Sequence, residues 1–267
     1  MLAQYVANTV RLSLKIGEKF LYKSQQIQPE LNNLLPETLP ESIEIPEYLS
    51  KTYWWAYVSP KAIKFFDRHF LVNLILFGNF KRLRDAAIRR LGEDFSGKVL
   101  QIASVYGNFT QRILDCMSVD GELDVVDVVP DQLSNLRRKV ITQKRFNALV
   151  MDSSDLKLDS ESYDKAILFF LLHEQPVEVR QKTLSEAWRV LRPGGRIVIV
   201  DYHKPSKLNP VRPLLWIVLK SLEPFALDLW RQPLESWLPK GMNGNCVHRR
   251  TFFGGIYQKM VFEKPGI

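Results

Sequence analysis

Short apolar runs alternate with stretches of helical periodicity from residue 99 to residue 201, the pattern of a parallel β-sheet covered by helices. Strands are predicted at 99–103, 123–127, 148–151, 165–170 and 196–201. Pro130 suits the first turn of a helix that turns Leu133, Leu136 and Val140 inward. Leu184, Ala187, Trp188 and Leu191 make the buried stripe of another helix, which the RPGG turn at 192–195 ends before the fifth strand. Two further strand-like runs, 247–253 and 256–262, flank Gly254 and Gly255 and predict an antiparallel hairpin added to the sheet.

Either side of this block the pattern differs. Residues 1–23 space their apolar positions as an amphipathic helix and lack a signal-peptide cleavage pattern. Pro29, Pro36, Pro40 and Pro46, with Glu30, Glu37, Glu41, Glu44 and Glu47 among them, make an extended acidic connector. Tyr53, Trp54, Trp55 and Tyr57 follow, a cluster that either packs in the core or faces an apolar ligand. Leu83, Ala87, Ile88 and Leu91 repeat at helical spacing between Asn79 as N-cap and Gly92 as stop, with Lys81, Arg82, Arg84, Arg89 and Arg90 on a solvated face. After His203, Lys204, Lys207, Arg212 and Lys220 are interleaved with Leu214, Leu215, Trp216, Ile217, Val218 and Leu219, and no acid occurs before Glu223. This reads as an interfacial amphipathic segment or a helical lid on the sheet. The expected organisation is an N-terminal helical extension and aromatic cap over 1–95 and an α/β domain over 96–267 with an amphipathic insert at 204–244.

Composition narrows the class. The 267 residues are 46% hydrophobic and 25% charged, which excludes a mainly disordered chain. No apolar run approaches the roughly 20 residues that cross a bilayer. Cys116 and Cys246 are the two cysteines, far apart and without a CxxC spacing, so neither a disulfide framework nor a thiolate zinc site is indicated and a reducing compartment is expected. The net charge of +8 is concentrated after residue 191. Because the basic residues there alternate with aliphatic ones and offer no stacking platform, an anionic membrane surface is expected rather than nucleic acid.

The loop after the first strand, VLQIASVYGNFTQ, keeps only Gly107 where a dinucleotide fold shows GxGxxG, with Ala103 and Val105 in place of glycines. Pyrophosphate needs close backbone approach, so NAD and FAD are disfavoured, whereas a ligand without phosphates tolerates such a loop. Asp127, which ends the second strand 20 residues after Gly107, is placed to accept ribose hydroxyls, and Asp152 after the third strand to accept from an adenine amino group. Together they outline a nucleoside site at the carboxyl ends of the strands. Tyr106 and Tyr202 are candidates to hydrogen-bond a ligand there.

These residues, with SYDKAILFFLLHE and EAWRVLRPGGRIVIVDYH, resemble a Rossmann-like class I S-adenosylmethionine-dependent methyltransferase of the kind that works on quinones. Over residues 46–264 the chain more narrowly resembles the RquA-type rhodoquinone biosynthesis proteins, through YLSKTYWWAYVSP, FGN, VYGNF, LDVVDVVPDQL, FFLLHE, VDYHKP and FFGGIYQK. The resemblance implies replacement of a ring methoxy group of ubiquinone by an amino group, with S-adenosylmethionine as amino donor and Mn2+ as metal, in support of anaerobic respiration. The expected cofactor contacts are Gln101, Ala103, Tyr106, Gly107, Asp127, Val128, Asp152, Ser153 and Phe170. Tyr53, Trp54, Tyr57 and Trp216 are expected against the quinone, and His173, Asp201, Tyr202 and His203 at the chemistry. His173, Glu174, Asp201 and His203 follow adjacent strand ends, and they are the expected metal ligands, since manganese prefers oxygen and imidazole donors.

Gln101 stands where such methyltransferases usually carry an acid, and a neutral amide there would hold the cofactor's amine less firmly as ammonium, making it a better nucleophile. A methyltransferase acting on a lipid quinone or another lipophilic substrate is the competing enzymatic expectation, and a non-enzymatic subunit of a quinone-biosynthesis assembly the third. The expected location is the cytoplasmic face of the bacterial inner membrane or the matrix face of the mitochondrial one.

Overall fold

The computed structural model describes residues 45–53, 63, 67–92, 95–142 and 144–266. Alternation of strand and helix builds the centre: β1 (Lys98–Ile102), β2 (Glu122–Asp127), β3 (Arg145–Val150), β4 (Tyr163–Phe169) and β5 (Leu191–Tyr202) are mutually parallel. A terminal hairpin of β6 (Cys246–Phe252) and β7 (Tyr257–Glu263) joins them, with β7 antiparallel to β5. The order β3-β2-β1-β4-β5-β7-β6 reverses between β1 and β4, so a crevice opens there at the carboxyl ends of the strands. Buried on both faces, the central strands carry near-continuous apolar runs such as Val99, Leu100 and Ile102 or Ile197 to Val200.

Helices α1 (Glu47–Thr52), α2 (His69–Ile75) and α3 (Phe80–Ile88) precede the sheet. Then α4 (Phe109–Cys116), α5 (Pro130–Lys139) and α6 (Val177–Arg189) alternate with its strands, and α7 (Arg212–Leu222) and the short α8 (Asp228–Arg231) form the insert. Pro130 opens α5 and turns Leu133 and Leu136 into the core as their spacing predicts, while Val140 is already its C-cap.

Three local expectations are corrected. The RPGG sequence does not end α6: that helix stops at Arg189, and RPGG lies inside β5, where Gly194 at φ +76° donates to the Lys264 carbonyl and absorbs a register shift against β4. Asn79 precedes α3 but makes no side-chain cap bond; its amide donates backward to the carbonyls of Leu76 and Phe77. Arg84 is not on a solvated face, because it is buried against Asp85 and donates to the Asn108 side chain. The helix at 1–23, most of the acidic connector, and Trp54, Trp55 and Tyr57 lie outside the described residues.

Candidate active site

A cavity of about 250 Å³ occupies the crevice. One wall is made by the strand ends: Ala103 to Tyr106 after β1, Asp127 to Val129 after β2, Met151 to Ser153 after β3, and Phe169 to Leu171 at the end of β4. The facing wall is apolar and comes from outside the sheet: Leu49 of α1, Leu71 to Phe77 around α2, and Leu215, Val218, Leu219 and Leu222 of α7. Tyr48 and Tyr53 each lie 6.5 Å from the ring of Phe225, which closes the N-terminal segment onto the insert.

The strand-end wall is held by backbone hydrogen bonds. Asp127 accepts from the amides of Ser104 and Val129, at 2.8 and 2.9 Å, and so ties the β1 loop to the β2 loop. Burial raises its carboxyl to about 6, against the lowering effect of those amides. Asp152 accepts from the Ser154 amide and hydroxyl, and the Ser153 hydroxyl is held by Thr183 and Gln175. Ala103 and Phe170, which directly follow β1 and β4 and line the cavity, are both left-handed, at φ 74° and 55°. That is a strained conformation for residues with a Cβ, of the kind that concentrates at binding sites.

Seven of the nine expected cofactor contacts line the cavity: Ala103, Tyr106, Asp127, Val128, Asp152, Ser153 and Phe170. Gln101 and Gly107 do not. Gln101 is buried, and both ends of its amide are engaged, the nitrogen donating to the Ala103 carbonyl and the oxygen accepting from Thr110. Gly107 donates its amide to Asp67 and accepts from Lys139; a Cβ there would sit 3.3 Å from the Phe80 ring, so this glycine serves loop packing.

At the junction of the two walls lies His173, in the short turn Leu172–Glu174 after β4. Asp201, fully buried at the end of β5, accepts from the amides of Leu172, His173 and Tyr202, and its carboxylate is 3.0 Å from His173 Nδ1. His173 Nε2 lies 3.7 Å from Glu174 and 3.9 Å from Glu223, the residue that ends α7. Burial alone would lower His173, but Asp201, Glu223 and Glu174 outweigh it and raise the imidazole to about 9. Burial raises Glu223 above the ordinary carboxylic range, with His173 and the Tyr53 phenol acting the other way. Tyr202 packs edge-on to His173 and Phe170, at 4.9 and 5.5 Å between ring centres.

The expected metal site does not form. His203 turns its Nδ1 to the Gly255 carbonyl, 2.8 Å away and off the cavity, and Asp201 is occupied by three amides and the imidazole. Among the described residues no three side chains of His, Cys, Asp or Glu are grouped to hold a metal. These residues therefore do not fit a manganese centre. The substrate expectations divide too: Tyr53 is buried behind the wall beside Glu223, and Trp216 faces outward from α7. Glu223, Tyr48 and Gln175 also line the cavity, and none of the three is expected there from the sequence. The signal for Glu223 was present, since it is the first acid after a basic stretch, but nothing in the sequence places it opposite His173.

Residues 99–195 match the family model described as a methyltransferase domain. That match covers about a third of the chain, from β1 into β5, and over it the chain is similar to a methyltransferase domain. Among curated proteins, it is 32% identical over 146 residues to a ubiquinone/menaquinone biosynthesis C-methyltransferase of Syntrophotalea carbinolica, covering 54% of this chain and 60% of that protein. It is 27% identical over 177 residues to a demethylmenaquinone methyltransferase of Tropheryma whipplei, covering 62% and 70%. The chain spans only about 60% of the first of these relatives' length. Two solved structures share the fold: a putative methyltransferase complexed with the Trm112 activator from Haloferax volcanii (TM-score 0.54, 15% identity, 76% of this chain and 96% of that one) and a SAM-dependent methyltransferase from Aquifex aeolicus (TM-score 0.52, 18% identity, 77% and 98%).

Proposed function

We propose that the protein methylates the ring of a lipophilic quinone-type substrate in its reduced form, with S-adenosylmethionine as methyl donor. The observation that carries this reading is the single cavity whose polar strand-end wall suits a nucleoside and whose other wall is apolar, with His173 and Glu223 where the two meet. The names of the curated relatives support a quinone-type ring. The donor set fits the cofactor: Asp127 would accept the ribose hydroxyls, the Asp152 and Ser153 segment would meet the adenine, and the glycine-poor β1 loop needs to cradle no phosphate. Bound there, S-adenosylmethionine supplies an electrophilic methyl group.

The chain's own part is to generate the carbon nucleophile. Glu223, held basic by burial, accepts the proton of a ring hydroxyl. His173, protonated at neutral pH, stabilises the resulting oxyanion. The adjacent ring carbon then takes the methyl as the methyl–sulfur bond breaks, that carbon's proton passes to water to restore the aromatic ring, and Glu223 returns its proton to the ring oxygen. Asp201 fixes the imidazole from beneath, so it is a positioning residue.

A second reading, the exchange of a ring methoxy group for an amine, is favoured by one observation: position 101 is a neutral amide whose ends are both satisfied inside the protein. The cofactor's amine, without a neighbouring carboxylate, would add to the methoxy-bearing carbon with loss of methanol. Hydrolysis would then have to break the bond from that nitrogen to the cofactor's α-carbon, two electrons passing to the quinone ring, to leave the amino group on a reduced ring and a 2-oxo acid. Mass spectrometry of quinone incubated with the purified protein and S-adenosylmethionine labelled at both methyl carbon and amine nitrogen separates the two. Labelled methyl in the product with all ring methoxy groups retained is expected; labelled nitrogen with one methoxy group lost would establish the second reading. Cofactor bound without a product from reduced or oxidised quinone would refute both.

A further inference from the structure

Helix α7 has two working faces. Leu215, Val218, Leu219 and Leu222 line the cavity described above, while Trp216 and Ile217 point the other way and are 45% and 49% exposed. That outer face borders a second concavity whose floor holds Leu227 and Trp230 and whose rim carries Lys204, Lys207, Arg212 and Arg231, with no acidic residue in its lining. Arg231 is paired with Asp228, but among the described residues no carboxylate lies within ion-pair distance of Lys204, Lys207, Arg212 or Lys220. Leu208, which follows Lys207 in sequence, is 93% exposed. Lys220 sits 5.0 Å over the Trp216 ring and so adds a cation at the aromatic edge.

We propose that this surface docks the protein on an anionic phospholipid membrane. Cations without partner carboxylates cost little desolvation to bring to phosphate headgroups, and each contributes to binding there while losing its effect beyond a Debye length. Tryptophan and aliphatic side chains between them suit the headgroup and acyl boundary, where one end of the ring is wet and the other apolar. A nucleic acid would need bases stacked on an aromatic platform, whereas Trp230 is buried and Trp216 lies under Lys220. No helix among the described residues is long and apolar enough to cross a membrane, so the contact proposed is with the surface. One helix would then be at once the wall of the cavity and the membrane contact, which places the cavity one helix away from where a lipophilic substrate dissolves.

The test is flotation of the full chain with vesicles of phosphatidylcholine alone and of phosphatidylcholine mixed with phosphatidylglycerol, at low and high salt. Binding to the anionic vesicles, weakened by salt, is expected. The triple variant Lys204→Gln, Lys207→Gln, Arg212→Gln should bind them roughly a hundredfold less well, at about a factor of five per charge. Trp216→Ala should weaken binding at high salt as well, because its contribution is apolar. These side chains are exposed or half-exposed, and unchanged thermal melting of each variant would verify the fold. Equal binding by the triple variant, no preference for anionic vesicles, or saturable uptake of soluble glycerol phosphate or of a DNA duplex in place of vesicles would overturn the proposal. Vesicle binding requires no turnover, so its failure is distinct from failure of the quinone reading.

Discussion

The two walls of the cavity are made in opposite ways. The strand-end wall comes from the ends of four parallel strands, and Asp127 joins the loops after two of them through backbone amides. The facing wall is assembled from residues 48–49, 71–77 and 215–223, segments far apart in the chain, and packs mostly through apolar side chains. Its main polar fastening is Arg180 of α6, fully buried, which donates to the carbonyls of Leu172 and Gln175 on one side and of Phe225 on the other, with its guanidinium 4.5 Å over Trp237. The strand-end wall is therefore set by the fold itself, while the shape of the facing wall depends on an insert held by a few bonds. Chemistries can be exchanged on such a scaffold by changing the second wall alone.

Substitutions should separate the walls. Glu223→Gln, on the insert side, is expected to lower kcat by roughly 10²–10⁴-fold while leaving cofactor affinity by calorimetry unchanged. Equal loss of cofactor binding would mean that the two walls are not independent. In the wild type, kcat should also decline as pH rises through about 9, where His173 gives up its proton.

Arg180→Ala strands two buried carbonyls and one half-buried one, and is expected to destabilise the fold by about 3 kcal/mol in denaturant unfolding. Where the variant is still folded, turnover should suffer more than cofactor binding. Asp127→Asn acts on the other wall: calorimetry should show cofactor affinity roughly ten- to a hundredfold weaker, with kcat at saturation little changed. Because burial raises this carboxyl to about 6 and the ionised form is the better acceptor, wild-type affinity should fall as pH drops through that value, and the Asn variant should not follow.

His173 also ties stability to pH. Its folded value of about 9 lies above the ordinary 6.5, so the native state binds the proton more tightly than the unfolded chain. The resulting stabilisation is complete below 6.5 and is lost as pH rises through about 9; melting of His173→Gln should lack that decline. The smallest effect is expected at Ala103→Gly, which relieves the left-handed backbone at φ 74° and should raise stability by about 1 kcal/mol, provided the loop keeps its shape.

Periodicity alone determined the sheet, because parallel strands buried on both faces must be apolar along their length and the helices between them must be apolar on one side. Six of the seven strands fall within three residues of their predicted spans, β5 starting five residues early, and Asp127 and Asp152 reach the cavity because one ends β2 and the other closely follows β3. That Gln101 and Gly107 stand off the cavity lining was not legible, because position in a loop does not say whether a polar group is already engaged; Thr110 and Ala103 hold one, Asp67 and Lys139 the other. The four-residue metal cluster failed for a related reason: adjacent strand ends bring Asp201 and His173 together, but the Gly255 carbonyl takes the ring of His203. Glu223 shows the remaining limit most clearly. It lies 50 residues from His173 in the chain, and only the fold of the insert back over the sheet brings the two within 3.9 Å. Local pattern determines strands and the residues that end them, since both depend on neighbours in sequence; partners across a cavity depend on how separate elements pack, which the tertiary structure alone decides.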